Sequence, residues 1–249
     1  MNKPINLKKL NYPSDHLDNK KILITGAGDG IGKAVAISFA QHGAQIILLG
    51  KTLKKLHATH DEIVQQGGKS PIIYTINLKD ATINDYLQMA RQIKIKLGGL
   101  DGIIHNAACL KLLCSIQDYD IKTWYEVMQV NLHAPFLMTQ AFLPLLKQSK
   151  EAVILFTGGS VKSSWGAYGV SKSAINGLMQ TLAQELENTT IRVNSIHPNK
   201  TQTALYSFVN PHIKEKNIKK PKNLAPYYLW LMGKDGRKTH GQTLTVEGK

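Results

Sequence analysis

Short apolar runs alternate with longer stretches of helical periodicity along most of this chain of 249 residues. The first run, residues 21–25 (KILIT), leads directly into a cluster of glycines. Runs this short and apolar throughout are typical of strands that are buried on both faces of a sheet. The pattern predicts strands at 21–25, 44–49, 71–76, 100–105, 152–157, 191–196 and 242–246.

The segments between these runs predict helices. Glycines follow three of them, at Gly43, Gly67-Gly68 and Gly98-Gly99, and glycine is common where a helix ends. Two prolines, Pro135 and Pro144, predict bends in the longest segment. The predicted helices span 33–42, 53–66, 80–97, 118–150, 166–187 and 222–232, and residues 199–220 are expected to form a loop with some helix that roofs part of the pocket.

Regular alternation of strands and helices predicts an α/β fold. We expect a Rossmann-like, doubly wound sheet of about seven parallel strands in a single domain. The chain has no linker rich in Pro, Ser or Gly, no internal repeat and no low-complexity tract. The predicted organisation is therefore a polar N-terminal arm at 1–20 and one domain at 21–249.

Composition excludes several classes of protein. Apolar residues make up 43% and charged residues 19%, which excludes a wholly disordered chain. No apolar run approaches the roughly 18 residues of a membrane span, and the N-terminus lacks the apolar segment of a secretory signal. The two cysteines, Cys109 and Cys114, cannot build a disulfide framework. These features predict a cytoplasmic protein that does not enter a membrane.

The chain is strongly basic, with 31 Lys and Arg against 17 Asp and Glu, a formal net charge of +14. Such a charge attracts anions, including nucleotides and nucleic acid. Many of the lysines lie in the N-terminal arm and in the segment 214–222. A solvated basic surface is the favoured interpretation of both clusters, and association with nucleic acid is kept as a less favoured alternative.

A glycine-rich loop follows the first predicted strand. Its glycines have the spacing Gly26-x-x-x-Gly30-x-Gly32, which departs from G-x-G-x-x-G. Glycine lets backbone approach a pyrophosphate, and the helix that follows supplies N–H donors to the anion. Although glycines can simply form a turn, their position between a strand and a helix favours a dinucleotide site.

The end of the second strand indicates which dinucleotide is bound. NAD sites usually carry an acidic residue about 20 residues after the loop, against the ribose hydroxyls. Here Lys51 stands at that point, and no acid occurs between Asp29 and Asp61. Because a lysine attracts a 2′-phosphate, NADP(H) is predicted and NAD is the less favoured cofactor. For Lys54 and Lys55 a solvated helix face is preferred to cofactor contact.

Histidines at helical spacing raise the question of a metal site. His57 and His60 lie three residues apart, followed by Asp61. Metal sites normally need a third protein partner, and none is evident for this pair of histidines. An exposed helix face is the favoured interpretation, and no metal is predicted.

Three further segments carry a resemblance to a known family. They are HNAA at 105–108, YGVSK at 168–172 and RVNSIHP at 192–198. With the glycine loop, they make residues 20–249 similar to the short-chain dehydrogenase/reductase family. Within that family, the segments 127–146, 165–172 and 227–233 most resemble the YciK-type bacterial oxidoreductases.

The resemblance implies a catalytic tetrad and a reaction. Tyr168 would be the general acid/base, and Lys172, one helical turn later, would hold the nicotinamide ribose and lower the pKa of the tyrosine. Ser160 would hydrogen-bond the reacting oxygen, and Asn131 would hold a water linked to Lys172. The implied activity is hydride transfer between NADP(H) and a small carbonyl or alcohol substrate.

The resemblance also implies a cofactor site and an assembly. Family members commonly pair through the two helices predicted at 118–150 and 166–187, so we expect a homodimer or homotetramer. The residues expected to contact the cofactor are Gly26, Gly28, Asp29, Gly30, Ile31, Gly32, Lys51, Asn77, Leu78, Asn106, Ala107, Tyr168, Lys172, Pro198, Thr201 and Thr203.

The sequence departs from the family pattern before the catalytic tyrosine. Ser160 lies only eight positions before Tyr168, a shorter interval than is usual in the family. A shortened loop leaves Ser163 and Ser164 as alternatives for the serine's role. It also motivates a rival function, in which the protein binds the dinucleotide as a sensor or scaffold without efficient chemistry. Elsewhere, Asn199 stands where glycine is usual, but asparagine tolerates left-handed backbone.

Overall fold

Seven parallel strands form one sheet among the residues that the computed structural model describes, which are 12–159, 161–211 and 218–246. The strands are β1 (Lys21–Thr25), β2 (Gln45–Gly50), β3 (Ile72–Thr75), β4 (Gly102–His105), β5 (Ala152–Thr157), β6 (Ile191–His197) and β7 (Thr243–Thr245). Their order across the sheet is β3-β2-β1-β4-β5-β6-β7. The order reverses between β1 and β4, and ligands of doubly wound folds bind at such a switch point. The predicted Rossmann-like fold is confirmed.

The helices cover both faces of the sheet, which explains why the strands are apolar throughout. Alternate residues of one strand point to opposite faces: Ile22 and Ile24 pack into one core, and Leu23 packs into the other. The core that contains Ile22 is covered by α1 and α8, and the core that contains Leu23 is covered by α3, α5 and α6. The helices are α1 (Gly30–Gln41), α2 (Leu53–Gln65), α3 (Ile83–Leu97), α4 (Ile121–Met128), α5 (Ala134–Leu146), α6 (Gly166–Glu185), α7 (Ala204–Val209) and α8 (Ala225–Met232).

The prediction of one long helix at 118–150 is wrong, because a turn of π-helix interrupts the helical segment. The turn covers Gln129–His133 and separates α4 from α5. The interruption comes before Pro135, which lies in the first turn of α5, and Pro144 lies inside the same helix. π-Helical turns are frequent at functional sites, and this one contains Asn131.

Other helix boundaries also differ from prediction, two of them for local reasons that the structure shows. The first helix begins at Gly30, earlier than predicted, because the Asp29 side chain caps it by accepting the backbone N–H of Gly30 at 2.7 Å. The helix predicted at 222–232 begins as a 3₁₀ turn over Pro221–Leu224, and α8 follows.

None of the helices in the described ranges is long and apolar enough to cross a membrane.

The segment RVNSIHP holds the C-terminal part of the chain in place. Arg192 is buried, and its Nη1 donates to the carbonyl oxygens of Leu231 and Gly236, both at 2.8 Å. Asn194 Nδ2 donates to the Thr239 carbonyl at 2.8 Å. These two side chains therefore support the fold, while the end of the same segment reaches the candidate site.

The described part of the predicted arm, residues 12–20, packs on the domain. Leu17 is buried in the core beside α1, and its backbone N–H donates to the His42 carbonyl at 2.8 Å. Residues 1–11 lie outside the described residues. The division of the chain at residue 20 stays a prediction.

Candidate active site

The glycine-rich loop turns sharply between β1 and α1. Gly26 and Gly30 have φ angles of +68° and +54°, in the left-handed region that favours glycine. A Cβ atom on Gly32 would overlap the carbonyl oxygen of Gly26, so the first turn of α1 packs directly on the loop. Gly28 and Ile31 belong to the same turn. The result is a closely packed backbone cradle at a helix N-terminus, which suits a diphosphate.

The loop after β4 is fastened to this cradle. The Thr25 hydroxyl accepts the backbone N–H groups of Asn106 and Ala107, at 2.9 and 3.0 Å. Asn106 Nδ2 donates to the Thr25 carbonyl at 3.0 Å. A Cβ atom on Gly26 would lie 3.0 Å from Ala107 Cα. The structure therefore brings together the predicted cofactor residues of β1 and β4.

The residues after β2 and β3 extend the same edge of the sheet. Lys51 is exposed immediately after β2. Asn77 is exposed after β3, and its Nδ2 donates to Asp80 Oδ2 at 2.6 Å. Leu78 is buried. An ammonium, an amide and an apolar side chain thus follow the ends of these two strands at this edge of the sheet.

The segment after β6 returns to the glycine loop. Asn199, which follows Pro198, has a φ of +56°, as its predicted tolerance of left-handed backbone allows. Thr201 is buried, and its hydroxyl donates to the Pro198 carbonyl at 3.3 Å. Thr203 caps α7 and lies against Gly30, where a Cβ atom would be 3.4 Å from the Thr203 methyl group. Residues 212–217 of the predicted roof lie outside the described residues.

Tyr168 and Lys172 lie together on a buried face of α6. Lys172 Nζ is 5.5 Å from the centroid of the Tyr168 ring and donates to the Thr157 carbonyl at 2.8 Å. Burial lowers the pKa of Lys172 to about 8. Burial also raises the pKa of Tyr168 to about 12. The expected lowering of the tyrosine pKa is therefore wrong for this structure, because loss of solvation outweighs attraction by the ammonium.

Asn131 joins three parts of the site through its side chain. Its Oδ1 accepts the backbone N–H of Cys109 at 2.6 Å, and its Nδ2 donates to the Cys109 carbonyl at 2.9 Å. The same Nδ2 donates to the Ser171 hydroxyl at 2.9 Å. Asn131 thereby connects the loop after β4 to Ser171 of α6, which lies between Tyr168 and Lys172 in the chain.

Ser160 lies outside the described residues, but its neighbours are described. Gly159 lies against Lys172, since a Cβ atom on it would be 3.4 Å from Lys172 Cγ. The alternatives, Ser163 and Ser164, are exposed, and Ser164 has a φ of +62°. The chain that leaves β5 therefore lies against Lys172 at Gly159, the residue before Ser160.

Tyr119 is a residue of this site that the sequence did not indicate. It is buried, and its ring fills the space next to Gly166, the first residue of α6. Trp165, at the cap position of α6, makes no side-chain hydrogen bond there, and the Tyr119 hydroxyl interacts with the backbone N–H of Ala167 instead. Tyr119 and Tyr168 belong to one apolar cluster. No local signal links Tyr119 to a helix 47 positions later in the chain.

Lys55 is exposed on α2, as expected, and it also forms an ion pair with Asp29 of the glycine loop. Lys54 is exposed, as expected.

Two cavities open near these residues. One, of about 250 Å³, is lined by Cys114, Ile116, Trp165 and their neighbours, beside the turn that carries Tyr168. The other, of about 910 Å³, lies along the outer side of α1 and α8 and reaches the glycine loop only at Asp29 and Gly30. The smaller cavity is lined by residues on either side of Tyr168 in the chain, but by neither Tyr168 nor Lys172.

Comparison with known proteins gives consistent matches over nearly the whole chain. The family model described as short chain dehydrogenase matches residues 20–214. The Escherichia coli K12 oxidoreductase YciK is 39% identical over 237 residues, 94% of each protein. A short chain dehydrogenase from Escherichia coli CFT073, complexed with NADPH, is 38% identical, with a TM-score of 0.90 over 94% of this chain and 99% of that one. A short chain dehydrogenase from Shigella flexneri 2a strain 301, complexed with NADP, is 37% identical, with a TM-score of 0.89 over 94% and 99%.

Proposed function

This chain belongs to the short-chain dehydrogenase family of oxidoreductases, and from that premise we propose that it transfers hydride between NADP(H) and a small carbonyl or alcohol substrate. The observation that carries the proposal is the tyrosine–lysine pair. Tyr168 and Lys172 are buried together on α6, beside the edge of the sheet where the glycine cradle lies. The nicotinamide supplies the hydride when bound, and the protein supplies position and proton transfer.

Tyr168 is suited to donate a proton. With a pKa of about 12, its hydroxyl stays protonated at neutral pH and can pass its proton to a carbonyl oxygen during reduction. Lys172, with a pKa of about 8, is mostly positive at neutral pH. Its charge stabilises the phenolate that Tyr168 becomes as the proton leaves. In the oxidative direction, the same phenolate would take the proton of an alcohol.

Two further residues complete the proposed tetrad. Asn131 fixes the loop after β4 against α6 through Cys109 and Ser171. It would thereby fix the position of Lys172 relative to the bound cofactor. A water held near Asn131 would link Lys172 to solvent. Ser160 would hydrogen-bond the substrate oxygen and stabilise the charge that develops on it.

NADP(H) is the proposed cofactor, and NAD is the less favoured one. The residues fit a dinucleotide, because the loop lies at the N-terminus of α1 and admits no side chain at Gly26 or Gly32. Lys51, Asn77 and Leu78 would hold the adenosine end, and Asn106, Ala107, Thr201 and Thr203 the remainder. The proposal is supported by Lys51 in place of an acidic residue and by relatives that bind NADP and NADPH.

The proposed assembly is a homodimer or homotetramer in the cytoplasm. Three large apolar side chains, Ile121 and Tyr125 on α4 and Phe136 on α5, are exposed on the surface of one chain. Val170 on α6 is exposed as well. Exposed apolar patches commonly mark contacts between subunits. We propose that these helices pair across a two-fold axis.

The test compares Tyr168→Phe with the wild type in two assays. One measures NADPH binding by fluorescence titration, and the other follows NADPH consumption over a broad panel of small aldehydes and ketones. We expect the variant to bind NADPH within about twofold of the wild type and to lose turnover by at least about 10²-fold, because the ring remains but the proton donor is gone.

The rival function predicts a different result. A wild type that binds NADPH tightly but turns over no member of the panel would favour a sensor or scaffold. Turnover that Tyr168→Phe leaves unchanged would refute the role of the tyrosine. Salt-sensitive binding of random-sequence duplex DNA would support the remaining alternative, association with nucleic acid.

A further inference from the structure

Asp29 and Lys55 form an ion pair at the edge of the glycine-rich loop. Lys55 Nζ donates to Asp29 Oδ2 at 2.5 Å, and Asp29 Oδ1 accepts the backbone N–H of Gly30 at 2.7 Å. The hydrogen bond from Lys55 is the main cause that lowers the pKa of Asp29. Both carboxylate oxygens therefore have partners within the protein.

The fold fixes the position of Lys55 against the loop. A Cβ atom on Gly28 would lie 2.9 Å from Lys55 Cβ, so the beginning of α2 rests on the glycine loop. One turn later, the buried Thr59 hydroxyl donates to the Ala27 carbonyl at 3.1 Å. Contacts at two successive turns of α2 thus hold the Lys55 backbone beside Asp29.

The pair contributes little to stability, because the Lys55 and Asp29 side chains are 56% and 58% exposed. Exposed ion pairs typically stabilise a protein only slightly, because solvent screens both charges. The main effect of Lys55 is therefore on the charge that a ligand of the loop meets.

The charge around the loop depends on Lys55. Lys51 contributes a positive charge and Asp29 a negative one, so these two alone would cancel. Lys33 also lies near Asp29, but it forms an ion pair with Glu62 at 2.8 Å. Adding Lys55 leaves a net positive charge. A phosphate monoester carries about −1.5 to −2 at pH 7, so this difference changes its binding directly.

We propose that Lys55 is a cofactor-specificity residue that acts through Asp29. It neutralises the carboxylate of the loop and occupies Oδ2, so that, with Oδ1 held by the Gly30 N–H, neither oxygen is left to accept a ribose hydroxyl. The site then favours a dinucleotide with a 2′-phosphate over one with a free 2′-hydroxyl. This inference rests on the proposed function, and it adds a second determinant of specificity to Lys51.

A double-mutant cycle tests the inference without any substrate. Dissociation constants for NADPH and NADH are measured by fluorescence titration for the wild type, Lys55→Met, Asp29→Asn and the double variant. Lys54→Met is the matched control, since it removes the same charge from the neighbouring exposed position. Asparagine is also a good helix cap, so Asp29→Asn keeps the start of α1. Thermal unfolding checks that each variant is folded.

Lys55→Met should weaken NADPH binding by about tenfold at low salt, because it leaves Asp29 unpaired beside the phosphate. The same variant should bind NADH as well as, or better than, the wild type. The double variant should bind NADPH within about threefold of the wild type, since removal of the carboxylate restores the net charge. Lys54→Met should change both constants by less than about twofold.

Two results would overturn the inference while leaving NADP(H) as the cofactor. Equal effects of Lys55→Met and Lys54→Met on the dissociation constants would show that Lys55 acts only through the overall charge of the protein. A double variant as weak as Lys55→Met would mean that Lys55 acts on the phosphate and not through Asp29. A wild type that binds neither cofactor would instead overturn the proposed function, and this inference with it.

Discussion

The ring of Tyr119 packs directly against the backbone of Gly166, at the start of the helix that carries Tyr168. Tyr119 comes from the segment before α4, and its hydroxyl reaches the N–H of Ala167. No side chain at the cap position of α6 makes a hydrogen bond there, and the start of the helix packs instead on the Tyr119 ring, which comes from another part of the chain. The position of Tyr168 therefore depends on a long-range contact.

Gly166→Ala should destabilise the protein by about 2–4 kcal/mol, because the new methyl group would overlap the Tyr119 ring and the backbone has a φ of +45°. The free energy of unfolding in urea measures the loss. Gly177→Ala is the matched control in the same helix, where a Cβ atom meets nothing within 4 Å. That control should be neutral or stabilising by up to about 1 kcal/mol. Equal stability of Gly166→Ala and the wild type would contradict the packing.

Lys51→Asp should reverse the cofactor preference. It replaces the exposed ammonium after β2 with a carboxylate, which repels a 2′-phosphate and can accept hydrogen bonds from a ribose diol. We expect NADPH to bind about 10–100-fold more weakly and NADH to bind more tightly, as measured by fluorescence titration. Lys54→Asp, at a nearby exposed position, is the control for overall charge. Similar wild-type affinities for the two cofactors would argue against Lys51 as a determinant.

The sheet could be predicted from the sequence because its central strands are apolar on both faces. Such a strand is visible as a short run of consecutive apolar residues, with no knowledge of distant parts of the chain. The sequence missed the π-helical turn at Gln129–His133, since the apolar periodicity of 121–146 continues through it. It also missed the contacts of Tyr119 with Gly166 and of Lys55 with Asp29. Those contacts join residues far apart in the chain, and they arise only when the sheet brings their loops together.

His105 should make the protein sensitive to mild acid. Its ring is buried, stacks on Phe156 with the centroids 4.9 Å apart, and lies 2.9 Å from the Thr139 hydroxyl through Nε2. Burial lowers the pKa of His105 to about 3, against 6.5 for an unperturbed histidine. As the pH falls from 6.5 toward 3, only the unfolded chain takes up this proton, so stability falls. The loss from His105 reaches about 2 kcal/mol at pH 5.

Urea unfolding at pH 7, 6 and 5 measures this effect as a slope. His105→Gln keeps a hydrogen-bonding side chain without a titrating group, so its stability should depend less steeply on pH than that of the wild type. His57→Gln is the control, because His57 is exposed on α2. Identical slopes for all three proteins would show that His105 does not govern the acid response.

The proposed subunit contact predicts a change in mass. Ile121 and Tyr125 lie one helical turn apart on α4, and each is 67% exposed in the single chain. The double variant Ile121→Asp/Tyr125→Asp should dissociate the assembly to monomers in light scattering at micromolar concentration. Ile95→Asp is the control, because Ile95 on α3 is 84% exposed and does not belong to the proposed contact. A strictly monomeric wild type would refute the contact.

Ser160 is the member of the proposed tetrad that the shortened loop most affects. The end of β5 reaches the pair through Gly159, which lies against Lys172, and the next residue in the chain is Ser160. Loss of one well-aimed donor to a developing oxyanion costs about 10²–10³-fold in rate. We therefore expect Ser160→Ala to lower kcat by that factor, in a steady-state assay with the best carbonyl of the panel.

Ser163→Ala and Ser164→Ala are the matched controls. Both serines are exposed in the same short loop, and each variant removes one hydroxyl. They should leave kcat within about threefold of the wild type, and all three variants should bind NADPH normally, because none of these serines belongs to the cofactor cradle. A nearly silent Ser160→Ala together with a damaging Ser164→Ala would transfer the role of oxyanion donor to Ser164. The proton transfer by Tyr168 and its support by Lys172 would stand in either case, since their geometry within α6 does not depend on which serine completes the site.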